Sequence, residues 1–194
     1  MKKLIALVAG EPVSINSEII AKTWKKTRKK NFFIIGSYLL FKNQLSKLGI
    51  KLPLKKINYL KDLNRSSKLH IYDVPLKFSY VFKKEKNQKN YVLRCLNLAH
   101  NFALKKKIKG FVNAPVDKKI FGSKNIGVTE YLGKKNKIKD SEVMMIHNKK
   151  LSVVPITTHI EVSKIKTQIN TRLIQKKIIV LNKCYKLLFK KSPN

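Results

Sequence analysis

The sequence predicts a layered α/β fold built on parallel strands. An apolar run, "LIALVA", is followed by a helix-like segment, and a second apolar run, "NFFIIG", is followed by the amphipathic segment "SYLLFKNQLSKLG". Strands that alternate with helices pair in parallel, because each helix carries the chain back to the start of the next strand. The chain has 194 residues, 43% of them hydrophobic, and can therefore bury a substantial core.

The first elements follow in order from the N-terminus. Residues 4–9 are predicted to form a buried strand, and "GEPVSINSE" a turn in which Asn16 or Ser17 caps the next helix. Glu18 suits the positive end of that helix. Its apolar face is predicted to contain Ile19, Ile20, Thr23, Trp24 and Thr27. The second strand is residues 31–36, and the helix after it is expected to stop at Gly49.

The middle of the chain is less regular. We predict strands in "KKINYL" and "KLHIYDV", near an edge of the sheet. Residues 91–107 are predicted as a helix with His100 beside its apolar stripe, as a hydrogen-bonded structural residue. That stripe consists of Val92, Leu96, Ala99 and Ala103. "GFVNAPVDKK" is predicted as a strand that runs into a turn.

The last third of the chain begins with a predicted helix in "GVTEYLG". "SEVMMIH" and "LSVVPIT" are predicted to form a hairpin through "HNKK", with His147 in its exposed turn and of little functional weight. A polar helix and a long helix over residues 171–190 are predicted to follow.

Lysine dominates the charge of the chain. The formal net charge is +34, which would suit a polyanionic partner. However, only four of the 44 basic residues are arginine, the residue that nucleic-acid sites recruit for bidentate contacts. The lysines are also spread along the whole sequence. We therefore favour a solvated basic surface, and keep a basic nucleic-acid-binding protein as the less favoured alternative.

The sequence also bears on location. The start, "MKKLIALVAGEP", has a short apolar core and no small-residue cleavage site, so a first strand explains it better than a signal peptide. No apolar run approaches membrane-spanning length. Cys95 and Cys184 lie far apart without a CxxC pattern, which favours two buried thiols in a reducing compartment. We therefore expect a cytoplasmic protein with no membrane partner.

Three stretches follow predicted strands and carry polar groups: "AGEP", "VNAPVDK" and "ITTHI". Ligands gather beyond the carboxyl ends of parallel strands, so these stretches are expected to converge, with "GVTEYLG" between the second and third in sequence. No GxGxxG or GxxxxGK[ST] motif is present.

Three residues are candidates for binding a ligand. His159 can hold a divalent ion or act as an acid or base, although from spacing alone a histidine bonded to a backbone carbonyl is the better interpretation. Lys118 can hold a phosphate or carboxylate, although the prior probability that any single lysine of this lysine-rich chain binds a ligand is low. Thr129 is either a helix cap or part of a phosphate site at a helix start.

Four motifs in order resemble the 4-hydroxythreonine-4-phosphate dehydrogenase family. "GEPVSINSE", residues 10–18, resembles the opening signature G-[DE]-P-x-G-I-G-P-E. "NAPVDK" resembles T-[AG]-P-[VIL]-x-K, "GVTE" resembles G-H-T-E, and "VMMIHNKKLSVVPITTHI" resembles the strand pair that ends in T-T-H. Each motif is weak alone, but their order and spacing agree along the whole chain.

The resemblance implies an isocitrate/isopropylmalate dehydrogenase-like layered α/β fold and a homodimer with the active site at the subunit interface. It implies NAD-dependent oxidation of 4-phosphohydroxy-L-threonine to a 3-oxo acid, which decarboxylates to 3-amino-2-oxopropyl phosphate in pyridoxal phosphate biosynthesis. His159 aligns with the first of three histidines that bind a divalent metal (zinc, magnesium or cobalt). Thr129 aligns with a residue that binds the phosphorylated substrate, and Lys118 falls in a matching motif.

The sequence departs from the family pattern in three respects. Ser14, Asn16 and Ser17 replace Gly, Gly and Pro of the opening signature, and Val128 replaces the histidine of G-H-T-E. Family members continue with segments like N-P-H-A-G-E and Y-H-D-Q, which carry the other two metal histidines. We therefore predict a first α/β domain over residues 1–126 and the start of a second over residues 127–194, in a truncated fold that exposes apolar surface.

These departures leave alternatives open. We expect no dehydrogenase activity from this chain alone, because one imidazole does not make a catalytic metal site. The alternatives are a paralogous dehydrogenase of another phosphorylated or cyclic hydroxy acid, which Val128 favours, and an inactive fragment.

Overall fold

The computed structural model describes residues 4–27, 31–64, 66–84, 86–122, 127–136, 142–148, 150–157 and 160–193. The chain divides into two compact units, residues 1–120 and 121–194. The domain boundary expected at residue 126 stays a prediction.

The first unit is built on a five-stranded parallel sheet. Its strands are β1 (Ile5–Val8), β2 (Phe32–Gly36), β3 (Leu54–Ile57), β4 (Leu69–Asp73) and β5 (Gly110–Asn113). They lie in the order β3-β4-β2-β1-β5, and every neighbouring pair is parallel. The helices of this unit are α1 (Asn16–Lys26), α2 (Tyr38–Lys47) and α3 (Gln88–Leu104). The predicted parallel α/β layers are confirmed, with β3 at an edge and β4 inside the sheet.

The core of the first unit lies against the central strands. Ile34 of β2 packs with Trp24 of α1 and Phe41 of α2 in one buried cluster. Successive side chains of a strand point to opposite faces, so Phe33 and Ile35 face away from that cluster, and both are fully buried. A strand that is buried on both faces reads as a continuous apolar run, which explains why "FFII" lacks alternation.

The helices of this unit occur where they were predicted, with differences in α1 and α3. Helix α3 covers Gln88–Leu104 where residues 91–107 were predicted, and on the predicted apolar face of α1 Thr23 is exposed and Thr27 lies beyond the end of the helix. Helix α1 begins at Asn16 after Ile15, so the predicted cap by Asn16 or Ser17 is wrong. Ser14 Oγ instead accepts from the N–H of Asn16 over 3.2 Å. Ile19 is 46% exposed, and the buried face of the helix contains Ile20 and Trp24 as predicted. Helix α2 ends as expected, with Gly49 at a φ of +65°.

The second unit contains shorter elements and one long helix. They are α4 (Val128–Lys135), β6 (Ile146–His147), β7 (Ser152–Val153), α5 (Ile165–Gln168) and α6 (Thr171–Phe189). Strands β6 and β7 pair antiparallel, which confirms the predicted hairpin, although each strand has only two residues. The long helix over residues 171–190 is confirmed, whereas the polar helix before it is reduced to the single turn of α5.

Apolar side chains of the second unit remain open to solvent. Among its described residues no large hydrophobic side chain is buried. The exposed ones are Ile146, Leu151, Val153, Val162, Ile169, Ile178, Ile179, Leu187 and Leu188, together with Met144. The predicted exposure of apolar surface is therefore confirmed. None of the described helices combines the length and the apolar character that crossing a bilayer requires.

Candidate functional site

Two of the three polar stretches meet at the carboxyl edge of the parallel sheet. Strands β1 and β5 are neighbours, with Val8 opposite Asn113. The backbone N–H of Ala114 donates to the carbonyl oxygen of Val8 over 3.0 Å, and the N–H of Glu11 donates to that of Pro115 over 3.1 Å. The loops "AGEP" and "NAPVDK" are thus joined by main-chain hydrogen bonds. Their predicted convergence is confirmed.

The third stretch, "ITTHI", lies in the second unit, and its residues 158 and 159 fall outside those that the structure describes, so its convergence with the other two stretches stays a prediction. The strand that precedes it, β7, pairs with β6 in a separate two-stranded sheet of the second unit. It therefore does not follow a strand of the parallel sheet. The pairing of β6 with β7 is the hairpin predicted from "SEVMMIH" and "LSVVPIT". His159 itself lies outside the described residues, so its role as a metal ligand stays a prediction.

Asn16 ties these two loops together. Its side-chain Nδ2 donates to the carbonyl oxygen of Ala9 over 3.1 Å and to the carbonyl oxygen of Pro115 over 2.9 Å. The residue is only 3% exposed. Sequence reasoning had treated Asn16 as a helix cap, because asparagine at a helix start most often accepts from the helix backbone. Its role as a link between the two loops becomes visible only from its position between the ends of β1 and β5.

A small cavity lies beside this junction. It has a volume of about 20 Å³, enough for one water molecule, and Ser37, Gln44 and Tyr91 contribute to its lining. Asn16 and Ser17 line it as well, and their Oδ1 and Oγ atoms have no hydrogen-bond partner among the residues that the structure describes. The cavity therefore suits a small polar guest.

Tyr91 is a neutral group in the lining of this cavity. The hydroxyl of Tyr91 accepts a hydrogen bond of 2.8 Å from the backbone N–H of Ser37. Burial raises the pKa of Tyr91 well above its usual value, and burial raises the pKa of the neighbouring Cys95 thiol to about 12. Both groups therefore stay protonated at neutral pH. Of the two, only Tyr91 lines the cavity, and it contributes shape and a hydrogen-bond acceptor to the site and no charge.

Lys118 begins a short 3₁₀ turn, Lys118–Phe121, directly after the β5 loop. Its side chain is exposed. The preceding residue, Asp117, donates its N–H to Glu11 Oε2 over 3.4 Å, and Asp117 Oδ1 accepts from the N–H of Lys119 over 2.9 Å. Lys118 thus stands at the carboxyl edge of the sheet, where a ligand of the first unit is expected.

Thr129 is the second residue of α4 in the second unit. It is exposed, and the carboxylate of Glu130 accepts a hydrogen bond of 2.8 Å from the backbone N–H of Gly127 at the start of the helix. Glu130 and not Thr129 therefore closes the first turn, so the interpretation of Thr129 as a cap is wrong. The hydroxyl of Thr129 lies at the positive end of a helix, as a phosphate contact requires.

Two further histidines, His100 and His147, lie in regular secondary structure. His100 is buried on α3. His147 is exposed, as expected, but it ends strand β6, where its Nδ1 lies 2.7 Å from Ser152 Oγ. Within the described ranges, no group of three His, Cys, Asp or Glu side chains could hold a metal ion.

Asp73, at the carboxyl end of β4, is a polar residue near the site that the sequence motifs do not indicate. It ends β4, and its Oδ1 accepts from the N–H of Tyr38 over 2.9 Å, while Oδ2 pairs with Lys56 over 2.9 Å. A lone acidic residue at the end of an apolar strand was the available signal. Its partners show that it anchors α2 and is already neutralised.

Comparison with known proteins shows which family this chain resembles. The family model described as pyridoxal phosphate biosynthetic protein PdxA matches residues 28–194. Two curated relatives are each named 4-hydroxythreonine-4-phosphate dehydrogenase. The one from a Sulfurihydrogenibium species is 30% identical over 192 residues, which cover 95% of this chain and 58% of the relative. The one from Aquifex aeolicus is 29% identical over 197 residues, which cover 100% of this chain and 61% of the relative.

Solved structures show the same fold. A 4-hydroxythreonine-4-phosphate dehydrogenase from Klebsiella pneumoniae superposes with a TM-score of 0.83 at 23% identity, over 94% of this chain and 59% of that chain. One from Burkholderia phymatum superposes with a TM-score of 0.81 at 20% identity, over 93% and 57%. The chain spans about three fifths of the length of its relatives.

Proposed function

The chain belongs to the PdxA family of pyridoxal phosphate biosynthetic proteins, and from this premise we propose that it supplies the N-terminal, substrate-binding part of an NAD-dependent 4-phosphohydroxy-L-threonine dehydrogenase. The observation that carries the proposal is the junction of the "AGEP" and "NAPVDK" loops, through Glu11 and Pro115, at one edge of a parallel sheet. Ligands of such sheets bind beyond this edge.

The proposed reaction oxidises the secondary alcohol of the substrate to a ketone. The 3-oxo acid that results loses carbon dioxide readily, because the new ketone stabilises the carbanion left behind. When bound, NAD supplies the hydride acceptor, and a divalent metal supplies polarisation of the alcohol oxygen.

The residues of this chain serve mainly to bind and orient the substrate. Lys118 offers an exposed ammonium group at the carboxyl edge of the sheet, and we assign it to the substrate phosphate or carboxylate. Thr129, at the N-terminal turn of α4, is assigned to the phosphorylated substrate as well. His159 is assigned to the metal as one of three ligands. A catalytic metal needs three protein ligands, so we expect this chain alone not to reduce NAD.

Substrate binding by the chain tests the assignment of Lys118. We expect Lys118→Ala to raise the dissociation constant for 4-phosphohydroxythreonine roughly tenfold, because a charge-assisted hydrogen bond is lost. Lys119→Ala is the matched control. Lys119 is its neighbour in the same 3₁₀ turn, and the bond of Lys119 to Asp117 is made by its backbone N–H, which the substitution keeps. Equal affinities of the two variants in an isothermal titration would remove Lys118 from the site.

A second candidate function is supported by Val128. This apolar residue is the first of α4 and stands where the family motif has histidine. The loss of an imidazole contact favours a paralogous activity on another phosphorylated hydroxy acid. Titration with phosphoerythronate beside 4-phosphohydroxythreonine separates the two functions. Tighter binding of 4-phosphohydroxythreonine by the parent chain supports the first function, and tighter binding of phosphoerythronate supports the second.

A further inference from the structure

We propose that Asn16 is a positioning residue, which locks the loop after β5 onto the loop after β1 and thereby places Lys118 for an anionic ligand. The last step of this inference rests on the substrate-binding role proposed for Lys118. The first step, the locking of the loop, stands on hydrogen bonds and burial alone.

The bond between Asn16 and Pro115 joins residues 99 positions apart. Strand β5 ends at Asn113, and the N–H of Ala114 makes the last main-chain bond to β1, so the sheet ladder does not hold residues 115–117. Pro115 has no N–H of its own, and only its carbonyl can anchor this point of the backbone. That carbonyl accepts from Asn16 Nδ2 and from the N–H of Glu11. The position of Pro115 therefore depends on these two donors, and the longer bond of 3.4 Å from the Asp117 N–H to Glu11 Oε2 is the further link between the two loops.

Asparagine suits this position because of its primary amide. One Nδ2 carries two N–H groups, which reach the carbonyls of Ala9 and Pro115 at 3.1 and 2.9 Å. An aspartate would present only acceptors, and glycine, which the family signature has here, would present nothing. The change to Asn16 thus adds a cross-link that the signature does not contain.

Lys118 lies between two fixed points of the chain. On one side is Pro115, which Asn16 holds. On the other is Ile120, which is 8% exposed and whose N–H donates to the carbonyl of Asp117 over 3.0 Å. If Pro115 is released, the backbone between these points loses one anchor, and the ammonium group of Lys118 samples more positions. The affinity for an anion then falls, because binding must also order the Lys118 side chain and its backbone, which costs binding free energy.

The experiment compares four forms of this 194-residue chain: the parent, Asn16→Ala, Lys118→Ala and the double variant. Amide hydrogen exchange at residues 116–119 and the dissociation constant for 4-phosphohydroxythreonine are measured for each. Asn16→Gly replaces Asn16→Ala if that variant does not fold. Asn87→Ala is the matched control, since the Asn87 amide donates to the carbonyl of Lys77 over 3.0 Å, in another loop.

We expect Asn16→Ala, but not Asn87→Ala, to speed exchange at residues 116–119. We also expect it to weaken ligand binding roughly threefold to tenfold, the usual worth of a buried hydrogen bond. The loss of affinity caused by Lys118→Ala should be smaller in the Asn16→Ala background, because an ammonium group that is already misplaced contributes less to binding. A merely structural role would lower stability without this coupling.

The outcomes separate the two ideas. Unchanged exchange at residues 116–119 in Asn16→Ala overturns the locking role, and additive effects of the two substitutions on affinity overturn the link to Lys118. If the parent chain binds no phosphorylated ligand, the proposed function fails and the link to Lys118 with it, while the exchange data still decide the locking role.

Discussion

Gly10 lies so close to Pro115 that a Cβ atom on its Cα would stand 2.6 Å from the Pro115 carbonyl oxygen. The same atom would lie 2.7 Å from Asn16 Nδ2 and 2.9 Å from the carbonyl oxygen of Ala114. Gly10 also adopts a φ of +75°, which L side chains rarely take. The contact between the β1 and β5 loops therefore requires glycine for two independent reasons.

Replacing Gly10 by alanine should strongly destabilise the first unit. The substitution combines the strain of a positive φ with a clash against two main-chain carbonyls, and we expect a loss of about 2–4 kcal/mol in the free energy of unfolding. Gly49→Ala is the control, because Gly49 has a φ of +65° but no atom within 4 Å of its Cβ position. It should cost only about 1 kcal/mol. Urea denaturation measures both, and equal losses would contradict the close approach.

The two cysteines should differ sharply in reactivity. Cys95 is buried and burial raises its pKa to about 12, whereas Cys184 on α6 is exposed, contrary to the prediction of two buried thiols. The thiolate is the reactive form, so only Cys184 should react rapidly with a disulfide reagent at pH 8. A thiol assay should show one fast equivalent, and a second only after addition of denaturant. The variant Cys184→Ser should lose the fast phase.

Cys95 should also make the fold sensitive to alkali. Its pKa rises from 9.0 to about 12 on folding, so between these values the folded state binds more protons than the unfolded state. The stability is therefore intact below pH 9 and falls as the pH rises towards 12. Cys95→Ala should reduce the slope of unfolding free energy against pH over that range. An unchanged slope would mean that other groups dominate.

His70 should act in the opposite direction at low pH. It is buried on β4, its Nε2 lies 2.9 Å from Asn64 Oδ1, and it pairs across the sheet with Lys55. Burial, and then the charge of Lys55, lower its pKa below 6.5. The unfolded state binds more protons below that value, so stability falls as the pH drops through this window. The urea midpoint of His70→Gln should vary less between pH 7.5 and 5.5 than that of the parent chain.

Core substitutions should have unequal effects in the two units. Ile34 is fully buried in the first unit, so Ile34→Ala should cost about 2–5 kcal/mol in the free energy of unfolding. Ile179 is 68% exposed on α6, so Ile179→Ala should change stability by less than about 0.5 kcal/mol. A large loss on the second substitution would mean that the exposed apolar surface of the second unit is covered in solution.

Much of the fold could be predicted from short stretches of sequence. The runs "LIALVA" and "NFFIIG" are too apolar for an exposed strand, and the helices between them show an apolar face, so the parallel α/β layers followed. The hairpin through "HNKK" was recognised from two apolar runs and a polar turn. These signals depend on neighbouring residues only, and need no knowledge of the rest of the chain.

The errors arose where a residue has more than one possible partner. Asn16 was predicted to cap α1, and Thr129 to be a cap at the start of α4, because the sequence shows only the local backbone as a partner. In the structure Asn16 binds Ala9 and Pro115, and Glu130 closes the first turn of α4. Cys184 sits in a helical pattern, yet that pattern does not reveal which side of α6 packs.

The sequence by itself determined the alternation of strands and helices, the carboxyl-edge loops and the family signatures, because these are written in local periodicity and short motifs. Only the tertiary structure decided that β5 lies beside β1, about a hundred residues away in sequence. Strand order depends on which apolar faces pack best over the whole chain. That choice brought Gly10, Asn16 and Pro115 into one junction, which local patterns could not show.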